Sequence, residues 1–87
     1  MTIHAVFVVR DVCVDTYMIP MFFQNRAAAV RALGDAVNKA SEDNQFYQHP
    51  EHFQLYEVGV FDDSTGLVVP HVAPEFVVDC QSLVRQL

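Results

Sequence analysis

Residues 53–69 read FQLYEVGVFDDSTGLVV, and this stretch decides the fold. Most of its first nine residues are apolar, aromatic or β-branched, which is typical of a strand, and the segment is too short for a buried helix. The polar run 62–66 ends in Gly66, which can adopt the positive φ that a tight hairpin loop requires. The apolar residues 67–69 follow at once, so the stretch predicts a β-hairpin.

The N-terminal residues predict a second hairpin. Residues 3–9 form a continuous apolar run, which indicates a strand buried on both faces. Arg10 and Asp11 are expected to form the turn, and residues 12–19 the returning strand. Pro20 ends that strand because proline has no N–H to donate to the ladder.

Between the hairpins, residues 26–40 predict the main helix. The segment is rich in alanine, and Asn25 before it is a suitable N-cap. We expect Arg31–Asp35 and Asp35–Lys39 ion pairs one helical turn apart. The predicted buried stripe, at spacings of three and four, consists of Val30, Leu33, Val37 and Ala40.

The remaining segments complete a single α+β domain over residues 1–87. Residues 41–48 are polar and indicate a loop, and Pro50 fits the first position of a short helical turn. Apolar positions at spacings of three and four in residues 75–87 predict a short C-terminal amphipathic helix. The expected order is β-β-α-β-β, a small antiparallel sheet of about four strands with the main helix packed on one face.

Composition limits the classes of function. The chain has 87 residues, is 52% hydrophobic and carries a formal charge of −6, which argues against a DNA-condensing polycation. A chain this small and this apolar has too few polar residues to cover its surface. We therefore expect a homodimer or higher oligomer. No segment has the pattern of a signal peptide or a membrane-spanning helix, which implies a cytoplasmic location and no membrane partner.

Motifs for catalysis or metal binding are absent from the sequence. His49 and His52 lie three residues apart, but without a recognised metal-site spacing we interpret them as an exposed loop pair. Cys13 and Cys80 lack CxxC spacing and are expected to be buried reduced thiols; a disulfide between them requires that the fold bring them together. Glu57, within an apolar strand, is expected to pair with Arg31 or Arg10. The sequence therefore predicts a non-enzyme with no cofactor and no metal.

Nucleic acid binding is the remaining chemical hypothesis. Single-strand binders combine basic groups with aromatic faces on which bases stack. The candidate DNA-binding residues are Arg26, Arg31, Lys39, Phe22 and Phe23. Most of the other aromatic residues nearby are expected to lie in the core: Phe46, Tyr47, Phe53 and Tyr56.

Three segments together resemble one known family. Residues 31–38 (RALGDAVN) and 49–66 (HPEHFQLYEVGVFDDSTG) are similar to two signatures of the small non-structural protein of gokushoviruses, which are single-stranded-DNA phages of the Microviridae. Residues 5–7 and 20–23 fit that family's opening pattern of two short strands and an apolar hinge. The sequence departs from the pattern at His52 and after Pro74.

The resemblance implies a phage-encoded protein that acts in the cytoplasm of the host bacterium. It implies a non-structural accessory role in single-stranded viral DNA synthesis or packaging, and no catalytic residues can be carried over. Two functions follow: an oligomer that contacts single-stranded DNA, or an adaptor that binds a phage replication protein, a capsid protein or a host factor without touching DNA. A third hypothesis is inhibition of a host enzyme by an acidic surface that mimics DNA.

Overall fold

The computed structural model describes residues 3–85, and its framework is a five-stranded antiparallel sheet with one main helix on one face. This architecture confirms the predicted α+β class. The strands are β1 (Ile3–Asp11), β2 (Thr16–Tyr17), β3 (Met21–Phe23), β4 (Phe53–Asp62) and β5 (Leu67–Asp79). The helices are α1 (Arg26–Val37) and α2 (Gln45–Gln48), and the 3₁₀ turns are Pro50–His52 and Cys80–Leu83.

Strand β1 lies at the centre of the sheet. One of its edges pairs with β4 over its whole length, and its other edge pairs with β2 and then with β3. Strand β5 extends the sheet beyond β4. The strand predicted for residues 3–9 is confirmed. Its burial on both faces holds for residues 6–9, whereas Ile3 is 46% exposed.

The core lies between the sheet and α1. Phe7 and Leu55 are fully buried, and from the helix side Ala29, Leu33 and Val37 pack over them. Of the predicted helical stripe, Leu33 and Val37 are buried, whereas Ala40 is exposed because the helix has already ended.

The N-terminal hairpin differs from the prediction. Arg10 and Asp11 belong to β1, because they pair with the first residues of β4. The turn instead occupies residues 12–15, where Asp15 adopts a φ of 56° and the Asp11 carboxylate accepts a hydrogen bond from the Cys13 N–H. Only residues 16–17 return as β2, and a further strand, β3, follows after Pro20.

Helix α1 begins as predicted and ends earlier. The Asn25 side chain accepts a hydrogen bond from the Ala28 N–H, which confirms it as the N-cap. At the other end, the Asn38 side-chain amide donates to the Gly34 and Leu83 carbonyls and ends the helix at Val37. The two expected ion pairs of Asp35 within the helix are absent from the described structure; Asp35 pairs with Arg85 instead.

The segment between α1 and β4 contains more helix than predicted. Residues 45–48, expected to be loop, form α2, because the Asn44 side chain caps it by accepting from the N–H groups of Phe46 and Tyr47. Pro50 stands at the first position of the following 3₁₀ turn, as predicted.

The prediction of a C-terminal helix is wrong. Residues 75–79 continue β5, where Phe76 lies opposite Tyr56 and Val78 opposite Leu55, and only the 3₁₀ turn Cys80–Leu83 follows. An apolar spacing of three and four does not separate a short helix from an irregular strand. Gln86 and Leu87, the end of the predicted helix, lie outside the described residues.

Strand β5 tolerates Pro70 and Pro74 because it lies at the edge of the sheet. Its residues 71–74 stand opposite the single residue Val58 of β4, so the strand bulges outward there. Next to the bulge β4 and β5 approach closely, and a Cβ on Gly59 would lie 2.5 Å from the Val69 carbonyl oxygen. Only glycine fits at that position.

Replacing Leu55, which has no exposed area, should test the core. Leu55→Ala removes a side chain from the layer between sheet and helix and should lower the free energy of unfolding by about 2–5 kcal/mol in urea denaturation. The matched control is Leu67→Ala, at a side chain 61% exposed, which should change it by less than about 0.5 kcal/mol. Equal losses for the two variants would contradict this core.

The two cysteines occupy different environments, which corrects the expectation that both are buried. Both are free thiols; Cys80 is buried and Cys13 is exposed. Burial and the neighbouring Asp79 raise the pKa of the Cys80 thiol to about 12, so it stays protonated.

A thiol-specific disulfide reagent at pH 8 should therefore modify Cys13 rapidly in the native protein and reach Cys80 only after denaturation. Cys13→Ser should abolish the fast phase and leave the slow one. A fast reaction at Cys80 in the folded Cys13→Ser variant would contradict its burial.

Candidate functional site

The face of the sheet that points away from α1 is covered by its own side chains. Residues that pair across an antiparallel sheet share a face, so His4, Val6, Val8 and Arg10 of β1 point to the side opposite Phe7. Val6 and Val8 are only 4% and 5% exposed, although they are not members of the helix-side core. Another layer must therefore cover them.

That layer consists of aromatic rings from four strands. The register places the rings of β2, β3 and β4 beside or diagonal to the valines on this face. The ring of β5 lies one strand further out, beside the Tyr56 ring of β4. We call this layer the aromatic face, and it comprises Tyr17, Phe22, Tyr56, Phe61 and Phe76.

The rings contact one another edge to face. Tyr56 has ring-centroid separations of 5.9 Å from Tyr17 and 5.7 Å from Phe76, and Phe22 lies 5.9 Å from Phe61. Such contacts hold the rings in fixed orientations. Tyr17, Phe22 and Phe76 are nevertheless 49%, 54% and 51% exposed, so each leaves about half its surface open to a ligand.

A depression of about 360 Å³ opens on this face, lined by His4, Phe22, Phe61 and Val68. Its walls are nearly all apolar, and His4 supplies the polar group. Arg10 lies on the same face and pairs with the Asp15 carboxylate. The face therefore offers planar apolar surfaces and little net positive charge.

On the other face, an ion-pair network joins the start of α1 to β4 and β5. The Arg26 Nε donates to Glu57 Oε1 at 2.9 Å, and its Nη2 donates to Glu75 Oε1 at 2.8 Å. The second Glu57 oxygen lies 2.6 Å from His71 Nε2. Because His71 is the first residue of the bulge of β5 and Glu75 directly follows the last, the network holds both ends of the bulge near the start of α1.

The network sets the ionisation of Glu57, whose side chain is only 14% exposed. Burial by itself raises the pKa of this carboxyl, but the hydrogen bonds from Arg26 and His71 outweigh that effect and lower it. The sequence prediction of a structural ion pair for Glu57 is right in kind, but its partner is Arg26 and not Arg31 or Arg10.

The predicted DNA-binding residues do not form one surface. Arg26 is committed to Glu57 and Glu75, whereas Arg31 is exposed on α1 and Lys39 is exposed beyond its end. Phe22 belongs to the aromatic face. Phe23 points to the helix side, where it packs against the core and Phe7. The sheet thus separates Phe22 from the helix residues.

Most of the aromatic face does not follow from the sequence pattern. The pattern predicts a helix for the segment that contains Phe76, and it places Tyr17 in a strand over residues 12–19 that pairs with residues 3–9. Alternation along β4 carried a usable signal, because Leu55 points to the core and Tyr56 must then point to the opposite face. Which residues of β3 and β5 lie beside it depends on the pairing register, which the pattern alone does not give.

Glu57→Gln should weaken the fold at neutral pH and change its pH dependence. Since the folded pKa of Glu57 lies below its ordinary value of 4.5, the network stabilises the fold above that pH, and this contribution is lost as the pH falls through the lowered pKa. Urea denaturation should show a loss of about 1 kcal/mol at pH 7, a figure discounted for the half-exposed Arg26.

The stability difference between wild type and Glu57→Gln should shrink from pH 6 to pH 3. Glu42→Gln makes the same substitution at an exposed residue and should show no such convergence. A difference that stays constant over that range would contradict the role of the charged carboxylate.

Comparison with known proteins identifies the family. No helix among residues 3–85 is long and apolar enough to cross a membrane. No curated protein and no solved structure matches the chain. A family model described as Phage ORF5 protein matches residues 4–83, which include every strand residue of the aromatic face and the whole ion-pair network. The chain is therefore a phage protein and belongs to the Phage ORF5 protein family.

Proposed function

We propose that this phage protein binds single-stranded DNA by stacking bases on the aromatic face. The observation that carries the proposal is the set of half-exposed rings Tyr17, Phe22 and Phe76, each held by a buried or half-buried neighbour. Every base has a π-face, so aromatic platforms bind single strands with little dependence on sequence. Duplex DNA, whose bases are stacked on each other, offers no such surface.

The biological setting supports this choice of ligand. Membership of a phage family implies action in the host cell, and the resemblance to gokushovirus non-structural proteins points to phages with single-stranded genomes. We infer an accessory role in viral DNA synthesis or packaging, in the host bacterial cytoplasm. No catalytic residue is needed for this role, in keeping with the predicted non-enzyme.

The charge distribution shapes how the binding should behave. Arg10 is the arginine of this face, and Asp15 already neutralises it in part. If one phosphate contact is made per copy, the logarithm of the affinity should fall with the logarithm of the salt concentration with a slope of only about −0.7. Stacking, and not phosphate neutralisation, then supplies most of the affinity.

Self-association is part of the same proposal. Val68 and Val72 of β5 are 55% and 109% exposed, and aliphatic side chains of this kind add little to base stacking. We infer that a second copy covers some of them. Several copies on one strand would raise the overall affinity, because each later contact is made within the same complex.

An adaptor function is the second candidate, and the exposed aliphatic residues of β5 favour it as well. In that case the aromatic face docks a phage replication protein, a capsid protein or a host factor, and DNA has no effect on the protein. The net charge of −6 suits such a role.

Anisotropy of a labelled oligothymidylate can separate these functions. Tyr17→Ala should weaken binding about fivefold or more, the loss expected when one stacked base is released. Tyr47→Ala, at a tyrosine 43% exposed on α2 and away from the aromatic face, is the matched control and should leave the affinity unchanged. Phe22→Ala and Phe76→Ala should behave like Tyr17→Ala.

Light scattering with and without the oligonucleotide, at low and physiological salt, completes the test. Complexes containing several copies, with a shallow salt dependence, are expected. An oligomer whose mass does not change when the oligonucleotide is added, at either salt concentration, would overturn DNA binding and favour the adaptor function. A steep salt dependence that Arg31→Glu abolishes would place the DNA on the helix side instead.

A further inference from the structure

Among residues 3–85, two groups of histidine and glutamate side chains lie close enough together to hold a metal ion, and they differ in one respect. In each group one ligand atom per residue lies within 4.8 Å of the others. In the first, formed by Glu57, His71 and Glu75, the Arg26 guanidinium already binds both carboxylates. A metal there would have to displace a cation that the fold itself supplies.

The second group is His49, Glu51 and His52, and no arginine or lysine among residues 3–85 forms an ion pair with its carboxylate. Glu51 Oε1 lies 4.0 Å from His49 Nδ1, within the same turn. The imidazole rings of His49 and His52 are stacked, with centroids 5.1 Å apart and an interplanar angle of 16°. Two imidazoles and a carboxylate thus converge on one side of a single turn.

The backbone that carries these side chains is anchored at both ends. Pro50 restricts φ at the first position of the 3₁₀ turn, and the His52 N–H donates to the His49 carbonyl at 3.0 Å. The His49 N–H donates to the Gln45 carbonyl at 2.8 Å, which joins the turn to α2. The His52 carbonyl accepts from the Val12 N–H at 2.9 Å, which joins it to the end of β1. The ligands are therefore held near one another before any ion arrives.

We propose that His49, Glu51 and His52 form a Zn²⁺ site. Two imidazole nitrogens and one carboxylate oxygen are a common donor set for zinc, which binds such atoms at about 2.0–2.2 Å. A tetrahedral arrangement places ligand atoms about 3.4 Å apart, so small side-chain rotations would close the site. Nitrogen donors disfavour Mg²⁺ and Ca²⁺, which prefer oxygen. His49 and Glu51 are exposed, so a fourth position remains open to water.

Binding should also stabilise the fold. An ion held by residues of one turn favours the folded state, in which the three ligands are together, over the unfolded chain. Zinc binding and the stabilisation that it brings are independent of DNA, so their failure and the failure of DNA binding are separate results.

Calorimetric titration of untagged protein with ZnCl₂ at pH 7.5 tests the proposal, with thermal unfolding as a second readout. One Zn²⁺ per chain and an increase in melting temperature are expected. His49→Ala and His52→Ala should each weaken binding at least about tenfold, and Glu51→Gln should weaken it less. Each variant should first be shown to fold by circular dichroism without metal.

Two controls identify the ligands. His4→Gln removes a histidine outside the turn, and Cys13→Ser removes an exposed thiol one residue from Val12; both should bind Zn²⁺ like the wild type. Absence of binding, or unchanged affinity in the His49→Ala/His52→Ala double variant, would overturn the proposal. Loss of binding in Cys13→Ser alone would assign the ion to the thiol and overturn it as well.

Discussion

The burial of β1 on both of its faces is the constraint on which the rest of the structure depends. On one side Phe7 and Val9 belong to the core under α1. On the other side Val6 and Val8 are buried, and the register sets them beside the rings of Phe22 and Tyr56. A single helix can cover only one face of a sheet. The second face must therefore be closed by side chains from the sheet itself, and large planar rings do this with few residues.

Because the helix covers one face of the sheet and aromatic rings cover the other, this small chain exposes many aromatic rings. The rings of β2, β3 and β4 lie beside or diagonal to the buried valines of β1, and Tyr17, Phe22 and Phe76 are still about half exposed. The stability of the fold and the proposed binding of bases thus use the same set of side chains. Apolar area that is exposed yet rigid is the kind of surface that marks an interaction site.

The ion-pair network holds the irregular part of the edge strand β5 in place. Strand β5 leaves its register with β4 for residues 71–74, and without a tie this bulge would be free to move. Arg26 at the start of α1 holds Glu57 and Glu75, and Glu57 holds His71. The bulge and the prolines also make the edge unsuitable for pairing with a further strand.

The sequence by itself determined the elements with strong local signals. The apolar run of β1, the β4–β5 loop with its positive-φ Gly66, and the Asn25 cap are all present as predicted, because each depends on residues close in the chain. The α+β class follows from their order. The resemblance of three segments also pointed correctly to a phage family.

Only the tertiary structure decided which residues meet. Residues 75–79 have an apolar spacing that fits a helix, but pairing with β4 satisfies their backbone and makes them strand. The same pairing brings Phe76 beside Tyr56, and the position of α1 commits Arg26 to two carboxylates and removes it from the predicted basic strip. Local sequence patterns specify single helices and strands. Register and packing between distant segments decide which side chains share a surface, and the candidate site is such a surface.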